Sequence, residues 1–179
     1  MEDSTMKEKD VVRLLQQYQH DVKNELQVIH GYLSMGMVDR VKGQIDQWIN
    51  QFHQEQKLLL LNAPLFILWV IQFNHTYDQL HLTYDIQTNK NLQVIDENLV
   101  HTCKRIIQSF HSKYSSSEDV LEINLKLSER SNHEIEVKMT LGLIKGKDIA
   151  VFKRELKQIT NMTVKRSDRG LQCQFSYLV

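Results

Sequence analysis

The sequence predicts an α+β chain: a long N-terminal helical hairpin followed by helices packed on one face of a mainly antiparallel sheet. Three observations carry this. Apolar residues recur at spacings of three and four through the first third of the chain. Pro64, the only proline, stands where that period ends. Beyond it, stretches of strict alternation are separated by further helical stretches. The boundary therefore falls at 62/63, with a helical segment 1–62 and an α+β segment 63–179.

The first helix runs from near Met6, where Thr5 and Glu8 have the spacing of a capping box, to about Met35. Leu15, Tyr18, Val22, Leu26, Ile29 and Leu33 form its apolar stripe, about 45 Å long at 1.5 Å per residue. Gly36 is the stop and Asp39 lies near the next start. In the second helix Val41, Ile45, Trp48, Phe52 and Leu59 share a side. So short a connection folds the two helices back as an antiparallel hairpin. Two helices cannot cover both stripes, and a second hairpin from another copy would complete a four-helix bundle.

A third helix is expected from Pro64 to Tyr77, because proline suits the first helical turn. Leu80, Leu82, Tyr84 and Ile86 alternate as a strand. Asp96 to Tyr114 is helical, with Leu99, Cys103, Ile106, Ile107 and Phe110 inward. Ser115 to Ser117 is a loop. Val120 to Leu127 and Glu134 to Leu141 read as two antiparallel strands. Asp148 to Thr160 reads as a helix with Val151, Phe152, Leu156 and Ile159 inward. Met162 to Lys165 and Leu171 to Leu178 close the chain as a strand pair around Ser167 to Gly170.

Twenty-two basic residues balance 22 acidic ones. A neutral chain has no bulk attraction to nucleic acid or an anionic membrane, so a partner must be selected by a local surface. The most apolar stretch, Leu58 to Ile71, is interrupted by Asn62 and Pro64 and is shorter than the roughly 20 residues of a membrane span. Cys103 and Cys173 have no neighbouring thiol and read as small buried hydrophobes. Few cysteines and no secretory leader point to the cytoplasm. No metal-ligand spacing is present.

On the first helix, Arg13, Gln16, Gln17, His20, Lys23, Asn24 and Gln27 lie away from the apolar stripe. His20 points roughly 200° from Val22 at about 100° per residue. A histidine there is wet, rigidly supported and reachable by another protein, with Asn24 one turn on and Asp21 beside it. A neutral imidazole nitrogen can attack phosphorus and become a covalent phosphohistidine, splitting one transfer into two. Phosphoryl transfer asks mainly for positioning and charge neutralisation. Asp21 would orient the ring or take its proton. A solvated histidine is by itself ordinary, and seven others compete among the eight in the chain.

The string Tyr18-Gln19-His20-Asp21-Val22-Lys23-Asn24-Glu25-Leu26-Gln27-Val28-Ile29-His30-Gly31-Tyr32-Leu33 sets His20 apart. It resembles the phospho-acceptor helix of two-component histidine kinases, and most closely that of the sporulation initiation phosphotransferase B family. The resemblance implies a homodimeric four-helix bundle whose chains each carry an α/β-sandwich domain like a histidine-kinase ATPase domain. It implies that His20 takes a phosphoryl group from the aspartate of one response regulator and passes it to a second, in the control of sporulation. Asn24 and Gln27 would lie on the regulator-docking face; Arg13, Gln16, Gln17 and Lys23 join them from helical geometry. The Mg²⁺ of the reaction would sit on the regulator, with no cofactor on this chain.

Kinases of this class also need an asparagine on the long helix to hold Mg²⁺, an acid before a glycine turn, and a glycine-rich lid. Phe110 stands where that asparagine is expected, Gly142 has no aspartate beside it, and only Gly170 remains near the last strands. Gly142 to Lys147 lacks the spacing of a phosphate loop. The second domain therefore reads as a degenerate, nucleotide-free version. Two alternatives are a divergent ATP-dependent histidine kinase and a non-enzymatic helical scaffold that binds signalling proteins.

Overall fold

The computed structural model describes residues 8–114, 120–142, 149–156, 162–168 and 170–179. The expected capping box at Thr5, the loop at 115–117, the stretch 143–147 and the ends of the helix expected over 148–160 lie outside the described residues. Two compact units are present, 1–53 and 54–179. Their division precedes the 62/63 boundary read from the sequence because Leu58 and Leu61 are fully buried in the core of the second unit.

In the first unit, α1 spans Glu8–Ser34 and α2 spans Val38–Leu59, crossing the division. Gly36 adopts φ 71°. Its N–H bonds the Leu33 carbonyl at 3.0 Å and the Met37 N–H bonds that of Tyr32 at 2.9 Å. This is the Schellman stop that glycine favours because it has no Cβ to clash at positive φ. The expected stripe divides in two. Val22 and Ile29 are half-buried, as are Val41, Trp48 and Phe52, whereas Leu15 and Leu33 are 58% and 59% exposed. Tyr18, Leu26, Ile45 and Ile49 are also exposed. Two helices share one line of contact, so the rest of each stripe has nothing to cover it. No described side chain of 9–53 is buried.

The second unit holds the core. α3 spans Pro64–Thr76, β1 Leu80–Gln87, α4 Asp96–Tyr114, β2 Leu121–Ser131, β3 Glu134–Leu141, α5 Ile149–Leu156, β4 Thr163–Ser167 and β5 Gly170–Leu178. The sheet order is β1-β2-β3-β5-β4. All neighbours are antiparallel except β1 and β2, which pair in parallel. A parallel neighbour needs a long crossover, and α4 supplies it. Alternation puts Ile123, Leu125, Leu127, Val137, Met139, Cys173 and Phe175 on the inner face, under Leu99, Cys103, Ile106, Ile107 and Phe110 of α4 and Phe152 and Leu156 of α5. Burial pushes the Cys173 thiol up to about 12 and raises that of Cys103 as well. Both are inert packing groups rather than nucleophiles.

Several polar details hold this unit together. The α3 N-terminus follows Ala63, which offers no side-chain cap. Asp96, 6% exposed at the start of α4, replaces it: its carboxylate accepts from Leu65 N at 3.0 Å and Phe66 N at 2.9 Å. Along the outer edge of β1, Asn74 accepts from Leu82 N at 2.7 Å and donates to Leu82 O at 3.2 Å. Gln54 accepts from Ile86 N at 2.7 Å and the Tyr77 carbonyl accepts from Leu80 N at 3.3 Å. At the opposite end of the sheet, Gly170 has φ 137°, and a Cβ there would lie 1.9 Å from the Leu141 carbonyl oxygen. Only glycine fits, so its place in the sequence answers to close backbone approach.

Candidate functional site

The α1 helix presents His20 to solvent with 71% of its side chain exposed; neighbouring Asp21 is 54% exposed. Arg13, Gln16, Lys23, Asn24 and Gln27 are exposed as well, within about 60° of His20 around the helix at about 100° per residue. Gln17 differs: it is half-buried, on the side that turns toward the seam with α2. The face expected from the sequence is thus present without Gln17 as a fully open member.

Both hydrogen-bond contacts of His20 fall on Nδ1. Asp21 Oδ1 lies 3.4 Å away and Asn24 Nδ2 lies 3.2 Å away. The two contacts favour opposite tautomers. With its proton on Nδ1, the ring donates to Asp21 and carries a lone pair on Nε2. With its proton on Nε2, Nδ1 accepts from Asn24 and Nε2 is not nucleophilic. A half-turn of the Asn24 amide would bring its oxygen to Nδ1 and give the first tautomer a second acceptor. The orientation of the Asn24 amide therefore decides whether the trio favours the tautomer with its lone pair on Nε2.

A contact that the sequence reading missed lies behind this face. Gln44 Nε2 of α2 donates to Glu25 Oε2 of α1 at 2.9 Å, with both residues half-buried. The signal available was two polar residues at positions facing the hairpin seam.

The position expected to bear a metal-binding asparagine in a kinase holds Phe110, which is fully buried. The adjacent Ser109 hydroxyl donates to Glu155 of α5. Among the described residues no three His, Cys, Asp or Glu side chains are grouped to hold a metal ion. No helix among them is long and apolar enough to cross a membrane.

The site that α1 presents is thus an exposed histidine in contact with an adjacent acid and an asparagine one turn on. Residues 1–61, about a third of the chain, match the family model for the sensor kinase SpoOB-type, alpha-helical domain. The chain is 29% identical over 119 residues to the sporulation initiation phosphotransferase B of Bacillus subtilis (strain 168), a match covering 65% of this chain and 62% of the relative. Among solved structures, the Acinetobacter baumannii histidine kinase AdeS aligns over 89% of this chain and 96% of its own, with a TM-score of 0.36 and 11% identity. The blue-light activated histidine kinase of Erythrobacter litoralis aligns over 98% and 61%, with a TM-score of 0.40 and 16% identity. At those scores the fold class rests on the helices and sheet of this chain itself.

Proposed function

We propose that this protein is a phosphorelay phosphotransferase. His20 accepts a phosphoryl group from the aspartate of one response regulator and passes it to the aspartate of a second, in the control of sporulation initiation. The observation that carries the reading is the exposed imidazole whose Nδ1 lies against Asp21; in the tautomer that donates to Asp21 the Nε2 lone pair is left for the visitor. In the forward half-reaction the Nε2 lone pair attacks phosphorus. The Nε2–P bond forms as the bond from phosphorus to the aspartyl oxygen breaks, and the regulator keeps its carboxylate. The proton stays on Nδ1, where Asp21 stabilises the cationic ring. The second half-reaction reverses these bonds on another regulator. Mg²⁺ and most of the charge neutralisation belong to the regulator, and no nucleotide is consumed.

Two copies act together in this reading. Leu15, Leu26, Leu33, Ile45 and Ile49 form exposed apolar surface on a hairpin that buries no described side chain of 9–53, and a second hairpin would cover it as a four-helix bundle. The place of action is the cytoplasm, where response regulators work.

The test is labelling of the purified chain with ATP alone, and with a phosphorylated response regulator plus Mg²⁺. Acid-labile label gained only from the regulator, and absent in His20→Ala, is expected. Label from ATP alone would make the protein a kinase. No label from any regulator would leave a binding scaffold.

A further inference from the structure

We infer that the Gln44–Glu25 hydrogen bond is a rotational lock on α1, which makes these two residues positioning residues for His20; the inference rests on the phosphotransfer reading above. Val22 and Ile29 of α1 and Val41, Trp48 and Phe52 of α2 are half-buried apolar groups on the same hairpin, and Gln17 is half-buried as well. Apolar contact is non-directional and resists a small turn of one helix against the other only weakly. A hydrogen bond is directional, and one to a carboxylate is among the stronger kinds. Turning α1 would pull Glu25 off the Gln44 amide and strand a half-buried charge, which is costly.

Glu25 lies five residues beyond His20, about 140° around the helix at about 100° per residue. It therefore faces α2 while His20 faces outward, and it sits one turn from Asp21. Side chains reach roughly 6 Å from a helix axis, so a turn of about 10° carries a ring nitrogen through about 1 Å. A misplacement of about 1 Å costs on the order of 100-fold in a reaction that depends on alignment. The lock thus acts on the direction from which Nε2 meets the phosphorus, without touching the regulator.

The test uses the full chain and the double variant Glu25→Leu/Gln44→Leu, which replaces the pair with apolar groups and is expected to melt at or above the parent temperature. Phosphotransfer from a regulator should then slow by about 10-fold or more at saturation while KM for the regulator changes by less than about 2-fold. Glu25→Gln, which still accepts from Gln44, should transfer within about 3-fold of the parent chain. A double variant that transfers at the parent rate, or one that changes only in KM, overturns the lock. A second measurement does not depend on phosphate. A nitroxide on Asp46→Cys, with Cys103 and Cys173 buried and unlabelled, relaxes the His20 ring protons by an amount set by the rotation of α1. The double variant should broaden or shift that relaxation. Identical relaxation in both chains overturns the lock, whereas a parent chain that takes no phosphate from any regulator tells against the phosphotransfer reading alone.

Discussion

Replacing Asp96 with alanine should destabilise the second unit by about 3 kcal/mol. The carboxylate is 6% exposed and accepts two backbone N–H bonds, from Leu65 and Phe66, at 3.0 and 2.9 Å. Hydrogen bonds to a charged group contribute about 1.5–3 kcal/mol each. They are made at a helix N-terminus, where a negative charge also meets the favourable end of the α3 dipole. A lost N-cap alone costs about 1 kcal/mol. These contributions overlap, so their sum is an upper limit and about 3 kcal/mol is the working figure. For a unit of this size the melting temperature should fall by about 10 °C. Trp69 on α3 is buried beside Phe66 and Phe73 and reports the transition; Trp48→Phe removes the other indole. Urea unfolding of the full chain would supply the free energy from the midpoint and slope. Asp96→Asn, which keeps one acceptor, should lose about half as much. A loss below about 1 kcal/mol in Asp96→Ala, with Trp69 emission unchanged, would refute the claim that Asp96 caps α3.

Three other outcomes are expected. Asp21→Ala should slow phosphotransfer without abolishing it, because the Asn24 amide can turn its oxygen to Nδ1 and the regulator supplies the metal; complete loss in a folded Asp21→Ala chain, equal to that in His20→Ala, would contradict this division of labour. Gly170→Ala should cost at least about 2 kcal/mol or prevent folding, since positive φ and the Leu141 carbonyl both oppose a Cβ; a melt within a few degrees of the parent would count against the close approach. Glu136 is held below the usual carboxylate range first by its hydrogen bond with Lys138 and also by the charge of that lysine and the Gln174 amide. A depressed folded-state value means that the stability it contributes is present above its unfolded value of about 4.3 and is lost as pH falls through the folded value. Acid titration of unfolding should therefore be shallower in Glu136→Gln, and identical slopes in the two chains would remove the effect.

The helices are legible in the sequence because their apolar residues keep a period that no strand shares. Gly36 and Pro64 mark their ends by backbone chemistry that acts locally. The strands are legible for the same reason, since Ile123, Leu125 and Leu127 alternate with polar neighbours along one inner face. Strand order is not legible. That β1 runs parallel to β2 depends on where α4 returns the chain, and no residue within either strand encodes it. The position of His20 on an exposed face follows from helical angle alone, whereas the half-burial of Gln17 depends on where α2 packs. The Glu25–Gln44, Asp96 and Asn74 bonds join residues far apart in the chain or on different elements. Their side chains look like ordinary surface groups until the fold brings the partner near. Gly170 stands out as the lone glycine near the last strands, and its reason lies in the end of β3, about thirty residues earlier.

The amides of Asn74 and Gln54 have a consequence for crowded solution. Backbone groups on the rim of a sheet can recruit a strand from a neighbouring molecule. On β1 the Leu82 N–H and carbonyl and the Ile86 N–H are already bonded by side chains, and the Leu80 N–H by the Tyr77 carbonyl. The other rim, β4, exposes Lys165 and Arg166, whose charges repel a like copy. Chains with bare apolar helix surface collide productively and often, and such collisions are where runaway aggregation begins. With one rim partly occupied and the other charged, an encounter between two copies has less to gain from exchanging strands than from joining their helices.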